Sequence, residues 1–340
     1  KILDYTDKLK IEDFQLLEIP GILDQMPAIS KGMIVFFVGI LIISGIFMIP
    51  KTSQKKAERI KIKDSELARF LKSGELDKNI FFNAKINKNP GSNMIEGNIS
   101  TSDDTLRDYL KQHPDTGHWN LSQSQITDNG VKLIDREKLQ VLILDSTAIT
   151  DESLKFLSLA RNLRTLDIRH CSYITFEGFE HLKNLTELKQ LEVGNNNLDS
   201  KWVGVICNLK NLKALNYFGQ LSPEDIHELK VLPLHSLKVL NPRDDTIETI
   251  VQELQLKSIF IYGKISTASL SRIALSDIDV VELKNGAALE KDSLTTVFRT
   301  TNGKKLLALP DYIDDNTIAI LKAQNRDLTV SDSKDLTKSF

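Results

Sequence analysis

The chain has 340 residues, of which 41% are hydrophobic and 26% are charged, and its formal net charge is −2. This composition indicates a folded protein with enough apolar residues for one or two cores. It excludes a nucleic-acid-binding protein that depends on a basic field over the whole chain. Two cysteines, Cys171 and Cys207, are too few for a disulfide-rich scaffold. Because the first residue is Lys1, we expect a fragment or a processed product.

An uncharged apolar segment predicts a transmembrane helix over residues 33–50. Residues 33–49 of it read MIVFFVGILIISGIFMI, in which the only polar side chain is Ser44. As a helix it would measure roughly 25 Å, at the short end of the range for crossing a bilayer. A buried core helix would show a polar stripe, and a signal peptide would have a shorter preceding segment and a cleavage site. We therefore expect a single-pass integral membrane protein.

The flanks of this helix bear on its orientation. The stretch KTSQKKAERIKIK (51–63) holds six basic residues and one acid. The positive-inside rule therefore favours a cytoplasmic C-terminal portion, although a folded domain upstream of Lys1 would override it. The expected organisation is an N-terminal juxtamembrane segment (1–32), the transmembrane helix (33–50), a basic juxtamembrane linker and helix (51–79), an N-terminal cap (80–114) and a repeat domain (115–340).

Most of the remaining chain consists of copies of one pattern. The segment LQVLILDSTAITDESLKFL (139–157) has strand-like apolar spacing followed by helix-like spacing. Each copy has a central apolar anchor, and successive anchors are 21 to 26 residues apart: Trp119, Leu142, Leu166, Leu191, Leu215, Leu237, Ile259, Val281, Leu307 and Leu328. Such a period is typical of a solenoid in which each repeat forms a strand, a turn and a helix.

Two copies carry a complete consensus. The pattern L-x-x-L-x-L-x-x-C/N occurs in LRTLDIRHC (163–171) and LKQLEVGNN (188–196). These segments resemble the leucine-rich repeat, and the helix starts ITDNGVKLI, ITDESLKFL and ITFEGFEHL resemble its cysteine-containing class. The resemblance covers about residues 115–335 and is strongest up to about residue 230. The C/N position departs from the pattern at Thr147, Gln220 and Pro242, so a continuous asparagine ladder is not expected.

The resemblance implies both a fold and a role. The fold would be an α/β solenoid, a leucine-rich repeat horseshoe of about ten repeats with parallel strands on its concave face. The role would be binding of a protein or peptide ligand on that face. Thr150 and Asp151 begin a predicted helix, where they accept hydrogen bonds from free backbone N–H groups. We interpret such residues as a folding requirement and not as catalytic groups.

The sequence contains no catalytic constellation. Motifs of phosphate-binding loops, nucleophile elbows, zinc proteases, C-x-x-C sites and kinases are absent. We therefore expect no enzyme, no cofactor and no metal site. His170, Cys171 and His181 are compatible with a metal, but Cys171 occupies the inward turn position of its repeat, so a structural role is favoured. A core residue is predicted at Cys207, and solvated turn residues at two acid pairs, Asp244 with Asp245 and Asp314 with Asp315.

The strand faces carry the better functional signal. Residues that alternate with the anchors would face the concave side. Three positions beyond the anchors they are Ser122, Asp145, Arg169, Gly194, Phe218, Leu240, Tyr262, Lys284 and Pro310. One position beyond the anchors they are Asn120, Ile143, Asp167, Glu192, Asn216, Lys238, Phe260 and Glu282.

Two binding surfaces are predicted on that side. The first is an exposed apolar patch of the kind that marks a binding site, formed by Phe218, Leu240, Phe260 and Tyr262. The second is a charged set that suits a polar partner, formed by Asp167, Arg169 and Glu192. Two alternatives stay open: a register error would turn the first set inward, and the second set would be ordinary solvated charges.

The leading hypothesis is a membrane-anchored interaction module with a protein or peptide ligand and no nucleic acid. The alternative is the sensor region of a membrane kinase, because the order of domain, single span and repeats resembles bacterial receptor-type serine/threonine kinases. The catalytic domain would then lie upstream of Lys1. A substrate-recognition subunit of a larger complex is a third possibility, which fits poorly with a membrane anchor.

Overall fold

Strands and helices alternate along the chain in a repeating α/β architecture. The structure is a computed structural model that describes residues 94–194, 198–284, 291–310 and 312–332, all within the second of the chain's two units, Arg69–Phe340. Its strands form one parallel sheet in which each strand pairs with the next in sequence. At this level the predicted α/β solenoid is confirmed.

The membrane prediction falls elsewhere in the chain. The segment predicted to cross the bilayer (33–50) and its flanks (1–32 and 51–79) lie outside the described residues. Within the described ranges, no helix is both long enough and apolar enough to span a membrane.

The elements of the sheet and of the helical layer are short. The strands are β1 (Ile95–Glu96), β2 (His118–Asn120), β3 (Val141–Ile143), β4 (Thr165–Asp167), β5 (Gln190–Val193), β6 (Ala214–Tyr217), β7 (Ser236–Leu240), β8 (Ser258–Tyr262), β9 (Val280–Leu283), β10 (Lys305–Leu309) and β11 (Leu328–Asp332). The helices are α1 (Asp103–Gln112), α2 (Asp128–Val131), α3 (Asp151–Leu157), α4 (Phe176–Phe179), α5 (Ser200–Ile206), α6 (Pro223–Leu229), α7 (Asp244–Glu253), α8 (Thr267–Ala274), α9 (Lys291–Val297) and α10 (Asp315–Gln324). A 3₁₀ segment, Glu180–Asn184, extends α4.

The predicted repeat register agrees with the strand pairing except at its last member. Every anchor from Trp119 to Val281 pairs with the anchor of the next strand. The prediction of Leu328 is wrong by two residues, because Val330 is the partner of Leu307. Both residues face the core, so apolar spacing alone does not choose between them. Ile95 pairs with Trp119, so part of the predicted cap (80–114) adds a strand to the same sheet.

The core lies between the sheet and the helices. Buried strand residues such as Leu142 and Leu144 pack with helix residues such as Leu154 and Leu157, and burial of each leucine contributes about 2 kcal/mol. Alternate strand residues point to opposite faces. The residues one and three positions beyond each anchor therefore lie on the face turned away from the helices, which we call the distal face.

A left-handed residue recurs four positions beyond the anchors. The backbone φ is 56° at Gln123, 58° at Ser146, 54° at His170 and 44° at Asn241, in a region that residues other than glycine seldom adopt. Each of these N–H groups donates to a carbonyl in the following repeat, as in the 2.9 Å bond from Ser146 to Arg169. The repeat therefore extends to the backbone conformation of its turn.

Threonine and aspartate link the starts of successive helices. Thr150 caps α3 by accepting from the N–H of Glu152, as predicted. Its own N–H and hydroxyl also donate to Asp128 of the preceding repeat, at 2.9 and 2.7 Å. Thr175 donates to Asp151 in the same way, at 2.8 and 2.7 Å. The residues predicted as caps therefore also join neighbouring repeats.

The structure also corrects the interpretation of the two acid pairs as solvated turn residues. Asp244 is the first residue of α7, and its carboxylate accepts from the hydroxyls of Ser266 and Ser269 in the next repeat. Asp314 is likewise the cap of α10, which begins at Asp315. These acids start helices because a carboxylate there accepts the free N–H and hydroxyl donors of a first turn.

Hydroxyls and a thiol fill the inward turn position in three successive repeats. Ser124 donates to the carbonyl of Leu121 at 2.6 Å, and Thr147 donates to that of Leu144 at 2.7 Å. The thiol of Cys171 donates to the same Leu144 carbonyl at 3.1 Å. Burial raises the pKa of Cys171 to about 11. This cysteine therefore satisfies a buried carbonyl, which is a structural role.

The inter-repeat carboxylates leave no room for a side chain on the helix that follows. A Cβ on Gly178 would collide with the carboxylate of Asp151, so Gly178→Ala should lower the free energy of unfolding by about 1–3 kcal/mol in urea denaturation. Gly204→Ala is the matched control, because a Cβ there meets nothing within 4 Å and alanine favours the helix. Equal stability of the two variants would contradict this constraint.

Asp128 should make the stability of the fold depend on pH in the acid range. Burial raises its pKa, but hydrogen bonds from Ser153 and Thr150 outweigh burial and hold the pKa below the ordinary 3.8. Its contribution to stability is therefore complete above pH 3.8 and is lost as the pH falls through the lowered folded-state value. We expect Asp128→Asn to lower the free energy of unfolding by about 1 kcal/mol at pH 7. The variant should also lose less stability than the unaltered protein as the pH falls. Thermal unfolding measured across pH would refute this if both proteins declined equally.

Candidate functional site

The residues of the two predicted surfaces lie side by side on the distal face. From β4 to β9, the column one position beyond the anchors reads Asp167, Glu192, Asn216, Lys238, Phe260 and Glu282. The column three positions beyond the anchors reads Arg169, Gly194, Phe218, Leu240, Tyr262 and Lys284. We call these twelve residues the distal cluster. The aromatic and charged sets, predicted as separate surfaces, are parts of this one cluster.

Arg169 is the centre of the charged end. Its guanidinium contacts both carboxylate oxygens of Asp167, at 3.0 and 2.6 Å, and also reaches Glu192 at 3.1 Å and Asp145 at 3.6 Å. Burial disfavours its charge, but the hydrogen bonds to Asp167 and the three nearby carboxylates raise its pKa above the ordinary value. One cation thus serves three acids. A planar guanidinium with five donors suits this task, and an ammonium does not.

Glu192 is an acid of the charged end whose ionised form is disfavoured. Its side chain is buried, and burial together with the charge of Asp167 raises its pKa, although Lys238 and Arg169 oppose the shift. Two acids adjacent on neighbouring strands repel each other at this spacing. The position of Arg169 between Asp167 and Glu192 therefore makes the charged end compatible with the fold.

Phe218 joins the charged end to the aromatic end. Cζ of Arg169 lies 5.6 Å from its ring centre, and the ring centre of Tyr262 lies 5.4 Å from it. Phe218 and Tyr262 are two strands apart, about 9.6 Å along the sheet, so their rings lean together above the strand of Leu240. Gly194 makes this possible, because a Cβ there would lie only 2.5 Å from Cβ of Phe218.

Lys238 lies among three aromatic rings. Its Nζ is 6.0 Å from the ring centre of Phe218, 5.6 Å from that of Phe260 and 5.7 Å from that of Tyr262. The residue is 3% exposed, and burial lowers its pKa even though the charge of Glu192 opposes this. Cation–π contacts of this kind contribute about 0.5–2 kcal/mol each. They hold a desolvated ammonium on the distal face.

The far end of the cluster carries a second ion pair. Lys284 contacts the carboxylate of Glu282. Burial raises the pKa of Glu282, and the charge of Lys284 opposes this shift. Burial also raises the pKa of Tyr262 to about 12, so its phenol stays neutral at physiological pH. The aromatic end is thus bordered by ion pairs on both sides.

The predicted aromatic surface is more enclosed than expected. Phe218, Leu240 and Tyr262 are half-buried, whereas Phe260 is 6% exposed and so is not the open surface residue that was predicted. None of the four belongs to the hydrophobic core between sheet and helices, and their strand pairing has the predicted register. The enclosure comes from crowding of large side chains on strands about 4.8 Å apart.

The sequence does not indicate five members of the cluster as site residues: Asn216, Glu282, Lys238, Lys284 and Gly194. Lys238, Lys284 and Gly194 occupy the predicted columns, but an isolated lysine or glycine in a strand has no distinctive pattern. The only available signal for Lys238 was its place beside Phe260 in the repeat alignment, where a cation and a ring become neighbours. The role of Gly194 can be recognised only from the position of the Phe218 ring, which the sequence does not supply.

The other candidate residues do not form a site with the cluster. Cys207 is half-buried after α5, and burial raises its pKa to about 11. His170 is exposed and lies 2.7 Å from Asp145, while His181 lies in the 3₁₀ segment. Across the part of the chain that the structure describes, no group of three or more His, Cys, Asp and Glu side chains could hold a metal ion.

Comparisons with known proteins do not identify a family for this chain. None of the protein-family models matches the chain, and a search of curated proteins finds no match either. The leucine-rich repeat assignment therefore stays a prediction that rests on the consensus residues of the sequence.

Arg169 should control the stability of the charged end. Arg169→Met leaves the buried carboxylates of Asp167 and Glu192 without their cation, and we expect a loss of about 3 kcal/mol in urea denaturation at pH 7. The loss should shrink as the pH is lowered, because protonation removes the unpaired charges.

Arg161→Met is the control for this variant, because Arg161 is exposed outside the cluster and should change stability by less than about 0.5 kcal/mol. A similar small effect for Arg169→Met would show that Arg169 does not support the buried acids.

Proposed function

We propose that this chain is a leucine-rich repeat module that binds a protein or peptide ligand through the distal cluster. In a solenoid of this family the distal face would be the concave face of the horseshoe. The observation that carries the proposal is the continuity of the cluster, in which aromatic rings, an aliphatic side chain and charged groups lie on six neighbouring strands.

The composition of the cluster supports binding of a peptide-like ligand. Phe218, Leu240 and Tyr262 remain partly exposed and offer apolar contact, while Arg169 and Lys284 offer charged groups at either end. Interfaces gain most of their affinity from a few aromatic and arginine residues that are surrounded by polar groups. The rings are held by neighbouring side chains, so little conformational entropy is lost when a ligand binds.

Membrane anchoring through residues 33–50 remains part of the proposal and rests on the sequence alone. The alternative role as the sensor region of a membrane serine/threonine kinase also remains a prediction. Among the described residues no feature favours it over a stand-alone binding module.

The proposal is tested by affinity selection from a synthetic pool of random dodecapeptides with free carboxyl termini. The full chain, held in detergent micelles, should enrich a set of related peptides. The triple variant Phe218→Ala/Leu240→Ala/Tyr262→Ala should lose at least tenfold in affinity for those peptides, because it removes the apolar contacts at the centre of the cluster. Isothermal titration calorimetry measures the loss.

A matched control removes three apolar side chains elsewhere. Leu159, Tyr173 and Val231 are exposed and lie outside the cluster, so their triple alanine variant should bind the same peptides unchanged. Circular dichroism of both variants checks that the fold is kept. Enrichment of no peptide, or equal binding by both variants, would overturn the proposed function.

A further inference from the structure

Lys238 is a buried cation of the distal cluster that makes no ion pair among the described residues. Arg169 is paired with Asp167 and Glu192, and Lys284 is paired with Glu282. The partners of Lys238 are the faces of three aromatic rings. An ammonium has three donors, and aromatic faces satisfy its charge only in part.

Two further donors beside Lys238 lack acceptors. Asn216 is its partner on β6, and although the amide interacts with Glu192, Nδ2 completes no hydrogen bond within the described structure. Ser258 lies on the same face of β8, two residues before Phe260, and its buried hydroxyl also has no partner there. A buried polar group without a partner costs about 1–3 kcal/mol. Three donors with unused capacity therefore lie on three neighbouring strands of the distal face.

The charges of the cluster limit what could bind. Its three carboxylates (Asp167, Glu192 and Glu282) and three bases (Arg169, Lys238 and Lys284) leave a formal charge of zero. A monoanion adds less uncompensated charge to this neutral cluster than a dianionic group such as a phosphate. A carboxylate carries one charge and can accept several hydrogen bonds through its two oxygens.

We propose that the distal cluster binds a carboxylate of its ligand at Lys238, beside the packed rings of Phe218 and Tyr262. This inference rests on the proposed function and names the group that the ligand must carry. The carboxylate would accept hydrogen bonds from Lys238, Asn216 and Ser258. Apolar parts of the ligand would contact Phe218, Tyr262 and Leu240.

The source of the carboxylate is either an acidic side chain or the carboxyl terminus of a peptide. Both sources have the same chemistry, and the peptides selected by the full chain distinguish them. Amidation of the terminus removes one source, and replacement of Asp or Glu by Asn or Gln removes the other.

The test measures a double-mutant cycle between Lys238→Met and loss of the peptide carboxylate, by isothermal titration calorimetry. Methionine keeps the apolar stem of lysine, and in the variant Glu192 and Glu282 keep their own cations, Arg169 and Lys284, so no carboxylate loses its ion pair. Circular dichroism checks that the fold is kept. We expect Lys238→Met to lose at least tenfold in affinity for the selected peptides. Peptides whose carboxylate is neutralised should bind the unaltered chain at least tenfold more weakly than the selected peptides do. On Lys238→Met, the neutralised and the selected peptides should bind with equal affinity.

Lys257→Met is the control, because Lys257 lies outside the cluster and pairs with Asp279; its affinity should be unchanged. If selected peptides depend on Phe218, Leu240 and Tyr262 but are indifferent to Lys238→Met, the carboxylate inference is overturned and the proposed function stands. If no peptide depends on those three residues, both are overturned.

Discussion

The structure depends on the constant register in which each strand pairs with the strand of the next repeat. This pairing places equivalent residues about 4.8 Å apart in columns that run across the sheet. Every side chain on the distal face therefore has a neighbour of fixed position on each side. Like charges in one column destabilise the sheet, whereas opposite charges or stacked rings stabilise it.

The distal cluster follows from this constraint. Asp167 and Glu192 are adjacent in one column and tolerate each other because Arg169 reaches both from the next column. At the other end, Lys238 pairs with Phe260, and the cation lies against aromatic faces instead of a carboxylate. The same register acts on the helix side, where the carboxylate of one repeat accepts from the cap of the next and where Gly178 has no space for a side chain.

The sequence predicts the fold better than it predicts the site. Apolar anchors repeat because each strand must bury one face, so the strands, their order and nine of ten anchors follow from spacing alone. The exception, Val330 in place of Leu328, arises because both residues face the core. Column membership also follows from spacing, which is why Phe218, Arg169 and Tyr262 were assigned to the correct face.

Burial and pairing within the columns do not follow from the sequence. Whether Phe260 is open or enclosed depends on the directions in which its neighbours lean, and these depend on three strands at once. The space at Gly194, which lets Phe218 approach Arg169, likewise depends on the side chains of several neighbouring strands. Nor does spacing reveal that Thr150 and Asp128, 22 residues apart, form one hydrogen-bonded link.

Photo-crosslinking tests most directly whether the distal cluster is the binding surface. A benzoylphenylalanine introduced at Leu240, in the middle of the cluster, would be compared with one at Leu159, an exposed position outside it. Irradiation of the full chain with a bound, selected peptide should crosslink the peptide from position 240 and not from position 159. Crosslinking from position 159 alone would show that the ligand binds elsewhere on the molecule.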